Sequence, residues 1–222
     1  MEYRAKTRSE DGTIKYLLDV PTHARNLSVE AAFIHLPSRA NEKPEYVLCL
    51  SSQIGCAYNC KMCANMLRTF YRCLTPKEIN EQITLVLGQD NNLKRVRQAG
   101  NVEYAFMAIG EPLYGTNVIE GIRQHTPYIK DTRFSLSTVG EKGTITRLKK
   151  ARLPFPVRLE LSLHFSNDTL RNEWMQSNQL WITALIMSSK SAVRQIENCE
   201  KHVTQVTQLS IHVEKNIRSG SV

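Results

Sequence analysis

The sequence lacks a long apolar run. No stretch approaches the roughly 18 apolar residues of a membrane-spanning helix, and the charged start MEYRAKTRSEDG is not followed by the apolar segment of a secretion signal. Hydrophobic residues make up 41% of the 222 residues and charged residues 23%, as in ordinary globular domains. We therefore expect a cytosolic protein with one substantial core, a small appendage and no membrane partner.

Negative charge is scarce relative to positive charge. Lys and Arg total 29, Asp and Glu total 21, and the net charge is +8. Such an excess favours a polyanionic partner such as RNA, although the basic residues lie in small scattered groups that equally suit a solvated face. The charge supports an RNA-binding function without establishing it.

The six cysteines are not spread along the chain as in a disulfide framework. Four of them fall between positions 49 and 63. Secreted disulfide-rich domains usually distribute their cysteines more evenly and follow a signal peptide. The distribution favours reduced cysteines that bind a metal.

Apolar and amphipathic stretches alternate from about residue 46 onward. This pattern predicts strands at Tyr46–Leu50, Tyr104–Ile109, Phe134–Thr138 and Val157–His164, with helices after Thr75, near 117–125 and near 143–151. The alternation is typical of an α/β fold with a parallel sheet or part of a barrel. We expect 46–178 to form the core domain, with its cysteine cluster on a loop after the first of these strands.

The flanking regions follow other patterns. Short extended segments in residues 1–45 predict a small N-terminal β extension. Residues 179–222 form a divergent segment, in which 180–202 suits a helix and Val206–Val213 suits a fifth strand. The number of chains in the assembly is left open.

Cys56, Cys60 and Cys63 form a C-x3-C-x2-C motif. A four-iron cluster held by three thiolates keeps one iron open, and that iron can chelate the amino and carboxylate groups of S-adenosylmethionine (SAM). The alternatives are a structural zinc site, which ordinarily recruits four ligands, or thiols that bind nothing. Because no second cysteine pair follows, the spacing favours a [4Fe-4S] cluster that binds SAM and cleaves it reductively.

Polar residues follow each predicted strand of the core, at the edge where parallel α/β proteins bind ligands. They are Gly110 with Glu111, Ser137, and Ser162 with His164. A carboxylate suits the ammonium of SAM, and the serines suit its carboxylate or ribose. Each serine taken alone equally suits a strand end that satisfies the local backbone, and His164 alone suits an ordinary core or loop histidine.

Several motifs in order resemble the RlmN/Cfr family of radical SAM methyltransferases. They are Cys49–Cys56 joined to the cluster motif, Gly110–Leu113, Leu136–Thr138, Leu161–His164, Asn167-Asp168, Leu170-Arg171 and, upstream, Asp11–Lys15 and Val29-Glu30. The resemblance covers about residues 8 to 175. It implies a partial (βα) radical SAM (TIM-like) barrel with a small N-terminal β extension.

The resemblance also implies a function. Members of this family methylate adenine at C2 or C8 in 23S rRNA, some of them also in tRNA, so RNA is the implied partner and flavodoxin or ferredoxin the implied type of electron donor. The implied cofactors are the [4Fe-4S] cluster on Cys56, Cys60 and Cys63, and SAM. By position, Glu30 matches the family's proton acceptor and Cys49 the cysteine that resolves the protein–RNA adduct. The matching SAM contacts are Gly110, Glu111, Ser137, Ser162, Leu163 and His164.

The sequence departs from the family pattern at several positions. The methyl-carrying cysteine is not located, since Cys199 lies in a helical, polar context unlike the family's, and Cys73 stands where an Asn is usual. Two alternative functions therefore stay open. One is a radical SAM enzyme that acts on another substrate, and the other is a catalytically inactive remnant that binds RNA.

Overall fold

The computed structural model describes residues 1–22, 27–36, 45–65, 67–140, 143, 147–148, 150–162, 164–165, 168–175 and 209–211. Within these ranges the strands are β1 (Glu2–Arg8), β2 (Ile14–Val20), β3 (Leu27–Leu36), β4 (Glu45–Cys49), β5 (Gln53–Ile54), β6 (Arg72–Cys73), β7 (Asn101–Phe106), β8 (Asp131–Thr138), β9 (Val157–Leu161) and β10 (Leu209–Ile211). The helices are α1 (Pro76–Gly88), α2 (Asn92–Ala99), α3 (Asn117–Arg123) and α4 (Asp168–Met175).

The larger sheet has the strand order β1-β2-β3-β4-β7-β8-β9-β10, and β5 pairs with β6 in a small separate sheet. In the larger sheet, the four central strands β4, β7, β8 and β9 run parallel. The first four strands are antiparallel to one another, and β10 is antiparallel to β9. The predicted α/β fold with parallel core strands is confirmed, and β1 to β3 continue the same sheet.

One face of the sheet carries the apolar core. Alternate strand residues such as Phe33, Leu48 and Tyr104 pack there with residues of α1 to α3, including Ile83 and Ile122. The helices therefore cover one face, and the side chains of the intervening strand residues point to the other. Among the described residues, no helix combines the length and the apolar composition that crossing a membrane demands.

A complete capping box fixes the start of α1 just after the cysteine loop. The Thr75 hydroxyl accepts from the backbone N–H of Glu78, and the Glu78 carboxylate accepts from that of Thr75. Arg72 in β6 donates to both carboxylate oxygens of Glu78, at 2.8 and 2.7 Å. The predicted helix after Thr75 is confirmed, and its first turn is tied to the preceding strand.

Several boundaries differ from the sequence prediction. β7 ends at Phe106 and not at Ile109, because Ala108 turns to donate to the carbonyl of Leu50 at 3.2 Å. β9 ends at Leu161, and the predicted fifth strand is β10, which runs antiparallel to β9. The strand β1 was missed because all of its side chains are exposed, so it has no apolar alternation. The predicted helix at 180–202 lies outside the described residues, as do four of the nine residues of that at 143–151.

Candidate functional site

The carboxyl ends of the central strands bring predicted site residues into two register rows. In the first, Cys49 of β4 pairs with Ala105 of β7, which pairs with Ser135 of β8. The second row lies two residues nearer the edge of the sheet and contains Ser137 on β8 and Glu30 on β3. Glu30 belongs to this row because Ala32, two residues further along β3, pairs with Cys49. Since paired residues and residues two apart share a face, Glu30, Cys49 and Ser137 lie on the face opposite the helices.

The cysteine loop is closed at its base. Gly55 has φ +70°, and a Cβ at this position would lie 2.1 Å from the carbonyl oxygen of Thr69. Only glycine fits such an approach, so residues 55 and 69, at the two ends of the cysteine loop, lie in direct contact. Inside the loop, the N–H of Cys63 donates to the carbonyl of Cys60 at 2.9 Å. The backbone thus gathers the cysteine motif into a single compact loop.

The three thiols of the loop influence one another. Burial raises the pKa of Cys60 to about 11, with further increases from Cys56 and Cys63. Burial also raises the pKa of Cys56, and the carboxylate of Glu111 and Cys63 add to this rise. The three thiols therefore lie within electrostatic range of one another, and Glu111 lies within range of Cys56.

The donor set of three cysteine thiols fits an iron-sulfur cluster that keeps one iron open. The described residues contain no group of three His, Cys, Asp or Glu side chains close enough together to hold one metal ion. In a cubane each cysteine binds a different iron, so its thiols stand further apart than those around a single zinc ion. Three neighbouring thiols that do not converge on one point are compatible with the cluster.

Glu111 anchors the loop that faces the cysteines. It is 4% exposed, and its two carboxylate oxygens accept from the backbone N–H groups of Leu113 at 3.1 Å and Val139 at 2.8 Å. Gly110 before it has φ +105°. The carboxylate therefore bridges the ends of β7 and β8.

The acidic side chain of Glu30 is held between two cations. Arg68, from the cysteine loop, donates to one carboxylate oxygen at 2.8 Å, and the Lys15 ammonium of β2 lies 3.3 Å from the other. The Ser51 hydroxyl donates to the backbone carbonyl of Glu30 at 2.5 Å. The structure thus connects Glu30 directly to the loop that carries the cysteines.

Cys49 is a half-buried thiol on the same face. Burial raises its pKa to about 11, although the backbone N–H of Met107 and the charge of Lys15 oppose this rise. At neutral pH the group is therefore a thiol, and its proton must leave before its sulfur can form a bond. Lys15, which lies close to both Glu30 and Cys49, ties the two positions together electrostatically.

The remaining predicted SAM contacts lie at the ends of β8 and β9. The Ser137 hydroxyl donates to the carboxylate of Glu160 at 2.9 Å, and the Ser162 N–H donates to the carbonyl of Thr138 at 2.8 Å. His164 has φ +59°, and burial lowers its pKa, with Arg171 adding to the effect. Leu163 lies outside the described residues.

Two buried residues that the sequence analysis did not single out organise this edge. Gln53 hydrogen-bonds to both the cysteine loop and the Glu111 loop. Arg171 of α4 donates to the carbonyls of Val139 and Ser162, at the ends of β8 and β9. Both lie within motifs that resemble the family, but their roles depend on contacts far apart in sequence, which residue spacing does not show.

Comparison with known proteins supports this picture. The chain is 31% identical over 201 residues to the dual-specificity RNA methyltransferase RlmN of Wigglesworthia glossinidia brevipalpis. The aligned region covers 87% of this chain and 49% of the relative. It is 34% identical over 197 residues to the RlmN of a Nitratiruptor species, covering 82% and 52%. The chain thus spans about half the length of the curated relatives it matches. A scan against protein-family models gives no match.

Among solved structures, the fold is similar to that of a radical SAM methyltransferase from Sphaerobacter thermophilus. The TM-score is 0.65 and the identity 27%, over 87% of this chain and 54% of that chain. Together with the three-cysteine loop at the parallel strand ends, this places the chain among the radical SAM proteins. Within them, the chain belongs to the RlmN/Cfr family.

Proposed function

We propose that this chain carries the core of a radical SAM methyltransferase that acts on adenine in RNA. The observation that carries the proposal is the position of the three-cysteine loop. The loop lies beside Glu111, at the edge of the parallel strands, in a chain whose curated relatives are named RNA methyltransferases. We further propose that β4, β7, β8 and β9 form one side of a partial barrel, with RNA approaching the face opposite the helices.

The cofactor residues divide into two groups. Cys56, Cys60 and Cys63 hold the [4Fe-4S] cluster, and Glu111 binds the ammonium of SAM while its backbone contacts keep the carboxylate in place. When bound, the cluster and SAM supply one-electron cleavage of the sulfonium and so a 5′-deoxyadenosyl radical. Gly110 lets the backbone approach the site closely, and Ser137, Ser162, Leu163 and His164 complete the proposed SAM contacts.

The substrate side of the proposal rests on Glu30 and Cys49. Glu30 is proposed to accept a proton from the RNA base, and Arg68 and Lys15 hold its carboxylate in position. Cys49 is proposed to resolve the protein–RNA adduct. Its thiol must first lose a proton, and burial opposes this loss because it raises the pKa of the thiol. The methyl-carrying cysteine stays unassigned, and Cys199 lies outside the described residues.

The test is anaerobic reconstitution with iron and sulfide, followed by dithionite, SAM and an unmodified RNA. We expect iron and sulfide to bind, 5′-deoxyadenosine to form and methyladenosine to appear in the RNA by mass spectrometry. Cys60→Ala should lose cluster absorbance and 5′-deoxyadenosine, because a cluster ligand is gone. Cys199→Ala is the matched control, since it removes a cysteine outside the motif and should leave the iron content unchanged.

The outcomes separate the proposed function from its alternatives. Formation of 5′-deoxyadenosine without any methylated RNA contradicts the RNA methyltransferase and favours a radical SAM enzyme with another substrate. A loaded cluster without SAM cleavage contradicts both enzymes and favours the inactive remnant. Full iron content in Cys60→Ala contradicts the assignment of the cluster ligands.

A further inference from the structure

The side chain of Gln53 lies between the two loops of the proposed cofactor site. Gln53 begins β5, directly before the cysteine loop, and its residue exposure is 0%. A buried amide that makes no hydrogen bond costs roughly 1–3 kcal/mol, so its partners matter. They lie on different segments of the chain, which makes this residue a junction.

One oxygen atom of Gln53 serves both loops. Its Oε1 accepts from the backbone N–H of Ala57 at 3.1 Å and from that of Glu111 at 3.2 Å. Ala57 follows the first cysteine of the motif, and Glu111 carries the carboxylate proposed for the SAM ammonium. The two loops are thus held at a fixed separation by two hydrogen bonds to a single atom.

The amide nitrogen and the aliphatic part of Gln53 complete the junction. Nε2 donates to the sulfur of Cys73 at 3.5 Å, which fixes the orientation of the amide plane. The backbone of Gly110 packs so closely that a Cβ there would lie 2.6 Å from the Cβ of Gln53. Glycine before Glu111 is therefore required by the side chain of Gln53 as well as by φ.

We infer that Gln53 is a positioning residue that couples the cluster-binding loop to the SAM-binding carboxylate of Glu111. This inference rests on the proposed function of the same site. It assigns to Gln53 no contact with SAM or iron, and its effect passes through the backbone at Ala57 and Glu111. Removing its acceptor oxygen should let the two loops shift relative to each other without removing any ligand.

The experiment compares SAM binding in anaerobically reconstituted protein that carries its full iron content. Gln53→Leu keeps the approximate volume but removes the acceptor, and we expect SAM to bind about tenfold or more weakly. The electron paramagnetic resonance spectrum of the reduced cluster should then change less on adding SAM. Gln53→Glu retains the acceptor oxygens but loses the Nε2 donor and adds a buried charge, so it should bind SAM more tightly than Gln53→Leu and less tightly than the unchanged protein.

A double-mutant cycle distinguishes positioning from a general loss of stability. If Gln53 acts through Glu111, the fold-losses of Gln53→Leu and Glu111→Gln should not multiply in the double variant. Gln82→Leu is the matched control: Gln82 is also 0% exposed and also bonds backbone, but its two hydrogen bonds go to Ser51 N and O and not to Ala57 or Glu111. Its effect should multiply with that of Glu111→Gln.

Three results would overturn the inference. They are unchanged SAM binding in Gln53→Leu, multiplying effects of Gln53 and Glu111, and a Gln53→Glu protein as defective as Gln53→Leu. The readout is SAM binding and not RNA methylation. A protein that shows the predicted SAM-binding cycle but leaves RNA unmodified therefore contradicts the proposed function and supports the role of Gln53.

Discussion

At the scale of single residues, the loop after β7 contains two glycines in the left-handed region of backbone conformation. Gly110 and Gly115 both have positive φ, +105° and +98°. They differ in their surroundings, because a Cβ at Gly110 would meet Gln53 and Ser52 at 2.6 and 2.7 Å, whereas nothing lies within 4 Å of one at Gly115. The pair separates the effect of backbone strain from that of crowding.

We expect Gly110→Ala to destabilise the protein by about 2–4 kcal/mol and Gly115→Ala by about 1 kcal/mol. Both variants carry the strain of an L-residue at positive φ, and only Gly110→Ala adds overpacking, worth about 1–3 kcal/mol. Urea denaturation measures both changes. Equal destabilisation of the two variants would contradict the close approach of Gln53 to Gly110.

The sequence predicts the chemistry of residues better than their connections. The spacing of Cys56, Cys60 and Cys63 and the position of Glu111 after a strand are local features, and hydrogen bonds from Gln53 hold the two loops that carry them together. The clamp of Lys15 and Arg68 on Glu30 joins residues up to 53 positions apart, and it exists only because the sheet brings β2, β3 and the cysteine loop together. No local pattern encodes such a contact.

At the scale of elements, α4 closes the site from the side of β8 and β9. Its Arg171, 4% exposed, donates to the carbonyls that end these strands. The last residues of the helix contact the cysteine loop, where the Lys61 N–H donates to Trp174 O and the Cys60 thiol to Met175 O. An iron-bound thiolate has no proton to donate, so cluster binding must replace the second of these bonds.

We expect Arg171→Met to destabilise the protein by about 2–4 kcal/mol. The change keeps an apolar stem of similar length but leaves buried carbonyls without a charged donor, each bond being worth about 1.5–3 kcal/mol. Hydrogen exchange should accelerate in α4 and at the ends of β8 and β9, and not in α1. Arg123→Met is the control, because Arg123 also binds a carbonyl, that of Ala151, from an exposed position.

In that control the loss should stay below about 1 kcal/mol, as for other exposed ion pairs. If Arg171→Met costs no more than Arg123→Met, or if α4 exchanges no faster, Arg171 does not fasten the helix to the strand ends. The helix itself escaped the sequence analysis because it holds only eight residues, and among residues 169–175 only Arg171 and Met175 are buried.

At the scale of the whole molecule, one sheet presents two different faces. The helix-covered face holds the apolar core, and the opposite face carries Glu30, Cys49 and Ser137 near the edge, with an ionic network of Glu103, Arg133 and Arg158 below them. The strand alternation that produces this division is visible in β2 and β3 but hidden in β7, where both faces are buried. The sequence therefore predicts the sheet better than its faces.

The cysteine loop begins directly after β5, and it contacts β3 through Arg68 and α4 through Lys61. Cofactor binding should therefore stabilise the entire fold. A ligand that binds only the folded state at 100 times its dissociation constant adds about 2.7 kcal/mol. We therefore expect saturating SAM to raise the unfolding free energy of reconstituted protein by about this amount, measured by anaerobic urea denaturation. Cys60→Ala, treated identically, should gain nothing, since without the open iron SAM loses its chelating site. An equal gain in both proteins would show that SAM binds without the cluster, against the site proposed here.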